Sequence, residues 1–232
     1  MFEVVDLYCE RTSPDFWAEP VNAVTNIAIL IAAWFAWRRA KQLQATSTGL
    51  WLLFAFLCAI AVGSGLFHTF ANNWSRLLDV LPILLFQLVY VWVYSRQIVK
   101  MNIAYAISII LAYLLAAIVG MQFPHILNGS LIYAPAILLL LILGIYHAAT
   151  RRIERYVLLG AAGIFVVSLT CRTVDGIICP YFPLGTHFLW HVCNAIVLYL
   201  ILRGFLANAF VEIRPNKHMQ PDQQTATRFA DL

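Results

Sequence analysis

His68, His187 and His191, with Asp79 and Ser64, are the residues of this chain whose types and spacing suit chemistry. Ser64 and His68 lie in GSGLFH, four residues apart, so on a helix they share one face. His187 and His191 lie in HFLWH at the same spacing. Two histidines at i, i+4 can hold one metal ion from one helix face. A third, from another helix, completes a three-ligand site. Zinc on three histidines keeps a fourth position for water and lowers that water's pKa towards about 7. A nearby carboxylate, here Asp79, can accept the proton and later give it to a leaving group. A serine one turn from a ligand, here Ser64, can donate to a developing oxyanion. Together these residues fill the roles of a zinc hydrolase site. Each also has a plainer reading. An intramembrane histidine can bond a neighbouring helix, and Gly63-Ser64-Gly65 suits small-residue packing. Asp79 also suits a position behind the metal, orienting a ligating histidine.

The elements that must position these residues are membrane helices. Of 232 residues, 62% are hydrophobic and 11% charged, against roughly 45–50% and 25% in soluble domains. Mean hydropathy is +0.80. These values exclude a soluble enzyme, a disordered chain and a collagen-like or low-complexity protein. The net charge of +4 is too weak to suggest nucleic acid as a partner, and there is no basic stripe. Five cysteines do not make a disulfide scaffold.

Taking about 20 apolar residues per span, seven spans fit: 21–37, 50–71, 77–94, 103–123, 131–150, 156–171 and 186–207. The fold class expected is an all-α membrane protein, a seven-helix bundle. Residues 1–210 form its one domain, and 211–232 read as a polar, disordered tail. With an odd number of spans, 12 of the 15 basic residues fall on the side of the tail and only Arg11, Arg76 and Arg172 on the other. The positive-inside rule then puts the N-terminus outside and the C-terminus in the cytoplasm. Ser64, His68, Asp79, His187 and His191 all fall near the outer ends of their spans, at one depth. Ionisable residues inside spans are costly and usually functional. The site therefore faces a periplasmic, lumenal or extracellular side.

Other polar residues carry plainer readings. His125, His147 and His218 read as surface or interface residues. Asn22, Asn26 and Asn194 read as interhelical hydrogen-bonding groups. Trp17, Trp37, Trp51, Trp74 and Tyr94 read as an interface belt, and Cys58 and Cys193 as buried small hydrophobes. Asn128-Gly129-Ser130 is a formal glycosylation sequon.

Three blocks of the sequence resemble the alkaline ceramidase family, within the wider superfamily of seven-helix membrane hydrolases. The first is Tyr8-Cys9-Glu10, Ala18-Glu19, Asn22 and Thr25-Asn26. The second is Gly63-Ser64, Phe67-His68, Leu78-Asp79 and Leu81-Pro82. The third is Val174-Asp175, Cys179, His187 and Trp190-His191. They occur in family order and cover about half the chain. The resemblance implies zinc on His68, His187 and His191, Asp79 as acid and base, and Ser64 as a transition-state stabiliser. It implies hydrolysis of a lipid amide, ceramide or a relative, taken from the membrane into a cavity among the spans. It also implies a calcium site at the leader, to which Glu10 and Glu19 would contribute. The chain departs from that pattern at Leu7, where the family is acidic, and at Thr12, where it has Asn. The interval from Cys9 to Glu19 is also two residues shorter than the family's. An ordinary solvated acidic leader is the alternative. Cys9 and Cys179 match positions that the family pairs as a disulfide, with Cys171 as a rival partner. From a different class, the rival reading is a non-enzymatic receptor or transporter using the same polar cluster for a ligand or protons. Amide or ester, acyl-chain preference, oligomeric state and host membrane stay open at this level.

Overall fold

A computed structural model describes residues 4–210. The tail expected over 211–232 lies outside the described residues. Seven helices are long and apolar enough to cross a membrane. They are α1 (Pro20–Gln42), α2 (Thr48–Phe70), α3 (Asn73–Ile98), α4 (Ile103–Met121), α5 (Ile126–Ala149), α6 (Val157–Ile178) and α7 (His187–Ala209). The described chain is therefore an all-helical bundle of seven spans, as the apolar runs require.

The local chemistry of the ends sets the boundaries. Pro20 opens α1, where its missing N–H is no loss. Ser47 caps α2 by accepting from the Leu50 amide at 3.2 Å. Asn72 and Ser75 form a reciprocal capping box at the start of α3. Just before this box, Ala71 takes the left-handed conformation (φ 42°) that ends α2 and turns the chain back. Leu127, Asn128 and Gly129 are also left-handed, and they kink the first turns of α5.

Neighbours in sequence pack as neighbours in space, and α7 closes the ring against α1. Buried Ala32, Ala33, Ala36 and Ala40 run along α1. Small side chains of this kind let helices approach closely without a hydrophobic drive between them. Apolar side chains such as Ile31, Leu111, Leu115, Leu138, Ile145 and Val167 point outward, as a lipid environment demands. At the tail end, fully buried His147 bonds the Tyr94 hydroxyl at 2.7 Å and the Ile153 carbonyl at 3.0 Å. Tyr94 is thus an interior residue joining α3 to α5 and not part of an interface belt. Cys58 is exposed on the outer face of α2 and not buried. The helix reaching Ile178 takes in Arg172 and Asp175, which lie beyond the sequence-based end of span six.

Candidate metal centre

The fold brings the three histidines together. His68 comes from the last turn of α2, and His187 and His191 from the first turns of α7, all buried. One nitrogen from each ring lies within 4.8 Å of the others, and among the described residues this is the only group able to hold a metal ion.

Hydrogen bonding fixes which nitrogens are available. His68 Nδ1 lies 2.6 Å from a Glu19 carboxylate oxygen, so Nδ1 is the protonated donor, and in the neutral ring Nε2 keeps its lone pair. The Thr25 hydroxyl donates to the Val21 carbonyl at 2.8 Å. It is therefore an acceptor towards His191 Nδ1, 3.0 Å away, and His191 Nε2 is also left with its lone pair. These two Nε2 atoms face one another at 3.2 Å. Two acceptors at that distance repel unless a cation lies between them. Nitrogens on one tetrahedral zinc, each at about 2.0–2.1 Å, sit about 3.3 Å apart. His187 adds a buried Nδ1 with no hydrogen-bond partner. The residues present fit zinc.

Ser64 and Asp79 are held beside this trio by one close approach. A Cβ on Gly63 would run into the Leu78 carbonyl oxygen and come within 3.2 Å of the Asp79 amide. Glycine here lets α2 and α3 meet backbone to backbone, one residue from each functional side chain. Ser64 hydrogen-bonds Asp79. Ser64, Asp79 and His191 together line one end of a cavity of about 920 Å³, counting its open mouth. Its wall continues through Ile60, Ile83, Phe86, Leu140, Phe165 and Val197, with Gln87 and Asn194 among them, so most of it is apolar. All seven helices contribute to it.

The leader closes the site from its own end of the bundle. Cys9 and Cys179 form a disulfide with Cα atoms 5.3 Å apart, and Cys171 stays free. Tyr8 stacks on the His187 ring with centroids 3.5 Å apart. Burial pushes its hydroxyl pKa upward, so Tyr8 remains a neutral phenol. Fully buried Asp175 organises this region. Its carboxylate accepts from the Cys9 amide at 2.9 Å, and from the Thr186 and His187 amides at 2.6 and 2.8 Å. It satisfies orphan donors at the start of α7 and fixes where His187 begins. Gly185, with φ 68°, passes so close that a side chain there would strike Asp175.

Glu10 and Glu19 stand differently from the calcium expectation. The Glu10 oxygens accept from the Val21 and Asn22 amides at 2.7 and 2.8 Å. Glu19 accepts from Arg11 Nε at 2.6 Å, from His68 Nδ1 and from Asn22 Nδ2 at 3.1 Å. Burial alone would raise the Glu19 carboxyl pKa. The hydrogen bond from His68, then the hydrogen bond and charge of Arg11, outweigh burial and hold it below the ordinary range. A calcium ion needs six to eight oxygens, and both carboxylates are already engaged by protein donors, Glu10 by backbone amides and Glu19 by a buried guanidinium. These residues, as folded, do not fit calcium.

Sequence reasoning missed Asp175, Arg11 and Thr25 as parts of the site. Arg11 acts across a long stretch of chain with no periodic signal, whereas Thr25, Glu19 and Asp175 fall within the blocks that carry the family resemblance. No curated protein matches the chain. A family model described as Ceramidase matches residues 7–225. With nearly the whole chain matched, and the histidine trio beside the cavity that Ser64, Asp79 and His191 line, this chain belongs to the Ceramidase family.

Proposed function

We propose that this chain is a zinc-dependent membrane hydrolase that cleaves the amide bond of ceramide or a related lipid amide. Membership of the Ceramidase family supports a hydrolase acting on a lipid amide. The observation that carries the metal reading is the pair of lone-pair nitrogens, His68 Nε2 and His191 Nε2, facing one another at 3.2 Å. The apolar cavity running from these residues suits acyl chains.

His68, His187 and His191 would hold the zinc, with Glu19 and Thr25 orienting two of the rings from behind. When bound, zinc supplies Lewis acidity that eases ionisation of a water and polarises the amide carbonyl. Asp79 accepts the proton of the attacking water and returns it to the amide nitrogen as the C–N bond breaks. The products are a carboxylic acid and an amine. Ser64, which bonds Asp79 in the substrate-free protein, donates to the oxyanion that develops on the carbonyl oxygen. Tyr8 and the disulfide-tied leader cover the ring of His187 and limit water at the polar end.

In the bilayer, we place the histidine end on the periplasmic, lumenal or extracellular side. Arg38, Arg39, Lys41, Arg96, Lys100, Arg151, Arg152 and Arg155 occupy the opposite end. The experiment is hydrolysis of ceramide, and of the ester with the same chains, by wild type and Asp79→Asn. Loss of amide cleavage in the variant, with zinc retained, is expected. An Asp79→Asn protein with wild-type turnover would overturn the assignment.

A further inference from the structure

Arg11 is only 5% exposed, yet its side chain ends among protein oxygens and nowhere near solvent. Nε donates to Glu19 Oε1 at 2.6 Å. Nη1 reaches the Ser13 and Asp15 carbonyls at 3.2 and 3.3 Å. Nη2 reaches the His68 carbonyl at 3.1 Å. One carboxylate and three carbonyl oxygens are the donors that a hard divalent cation gathers. Here a planar fork of N–H donors gathers them.

This guanidinium does two things at once. It ties the leader loop to the last turn of α2, where the backbone carbonyls lack helical partners. It also neutralises Glu19, a buried carboxylate that would otherwise be costly. The other Glu19 oxygen holds His68 Nδ1 at 2.6 Å. A line of contacts therefore runs from guanidinium to carboxylate to imidazole, and ends on the nitrogen that faces His191.

We propose that Arg11 is a built-in cation. Its guanidinium fills the oxygen cage in place of a bound divalent ion, and through Glu19 it positions His68 for zinc. Arginine stays charged at every accessible pH, so the cage is permanently loaded and the protein is indifferent to calcium. A second cation at the same place would sit against the guanidinium, with the Glu10 oxygens already taken by backbone amides. Arg11 is a positioning residue, and its role in holding His68 for metal rests on the zinc reading above.

The test uses zinc-loaded protein in lipid nanodiscs. Calcium is titrated into wild type by calorimetry, and thermal unfolding is followed with and without millimolar calcium. No binding heat and no shift are expected. Stoichiometric calcium binding with a rise in unfolding temperature would overturn the proposal. Arg11→Ala is then expected to hold zinc about 10–100-fold less tightly, the range for losing support behind a metal ligand. The visible spectrum of its cobalt-substituted form should change. Free guanidinium ion at millimolar concentration should restore part of both, and Arg11→Lys should fall between. Wild-type zinc affinity and cobalt spectrum in Arg11→Ala would also overturn the proposal. If Arg11→Ala does not fold, Arg11→Lys and the wild-type calcium titration decide. A wild type that binds neither zinc nor calcium would remove the zinc reading alone, since the calcium response is read independently of it.

Discussion

At the scale of single residues, what decides the chemistry is the orientation of rings and carboxylates. Glu19 and Thr25 commit the Nδ1 atoms of His68 and His191, so their Nε2 lone pairs converge. Glu19→Gln keeps the shape but weakens the charge-assisted bond. We expect zinc affinity to fall about 10–100-fold, measured by competition with a chelator of known affinity. Asp79→Asn removes the proton acceptor, and amide turnover should fall about 10²–10⁴-fold with zinc content unchanged. Ser64→Ala, which removes one oxyanion donor, should cost about 10²–10³-fold in kcat. A Ser64→Ala enzyme with unchanged kcat would reduce Ser64 to helix packing. The histidine trio and Asp79 were legible in the sequence because i, i+4 spacing and span topology already put them at one depth. Arg11 was not. An outer arginine in a charged leader reads as solvated, and only a contact 57 residues away, at the His68 carbonyl, shows otherwise.

At the scale of elements, the site depends on two close approaches. Gly63 lets α2 touch the backbone of α3 beside Asp79. Gly63→Ala must push the helices apart, at a cost of about 1–3 kcal/mol for overpacking. Amide turnover should fall while zinc stays bound, because the histidines lie on other contacts. Zinc loss together with turnover would mean that the α2–α3 contact positions His68 as well. Asp175 fixes the other approach, between α6, the start of α7 and the leader. Asp175→Ala should lower the unfolding temperature, since loss of a helix cap alone costs about 0.5–2 kcal/mol. It should also loosen His187. The spans were legible from their apolar runs, but the end of α6 was not. Arg172 and Asp175 look like loop charges until their partners are seen. Arg172 bonds the Asn128 carbonyl and the Ser130 hydroxyl at 3.0 and 2.7 Å, and Asp175 bonds three amides. Pairing makes such residues tolerable inside a helix, and pairing across the fold leaves no periodic trace.

At the scale of the whole molecule, seven helices close a ring around a mostly apolar cavity, with the histidine trio at the leader end. From the charge asymmetry we propose that this end lies away from the cytoplasm. A reporter fused after residue 210 should therefore be active only in the cytoplasm, and label directed at the leader should react from outside. The reverse pattern would move the site to the inner leaflet. The proposed function stands or falls with zinc on His68, His187 and His191. The deciding measurement is elemental analysis of detergent-purified wild type beside the His187→Ala/His191→Ala double variant. About one zinc per chain is expected on this three-histidine site, absent from the folded variant. A well-folded wild type without zinc, or a variant that keeps its zinc, would contradict it and favour a receptor or transporter built on the same bundle.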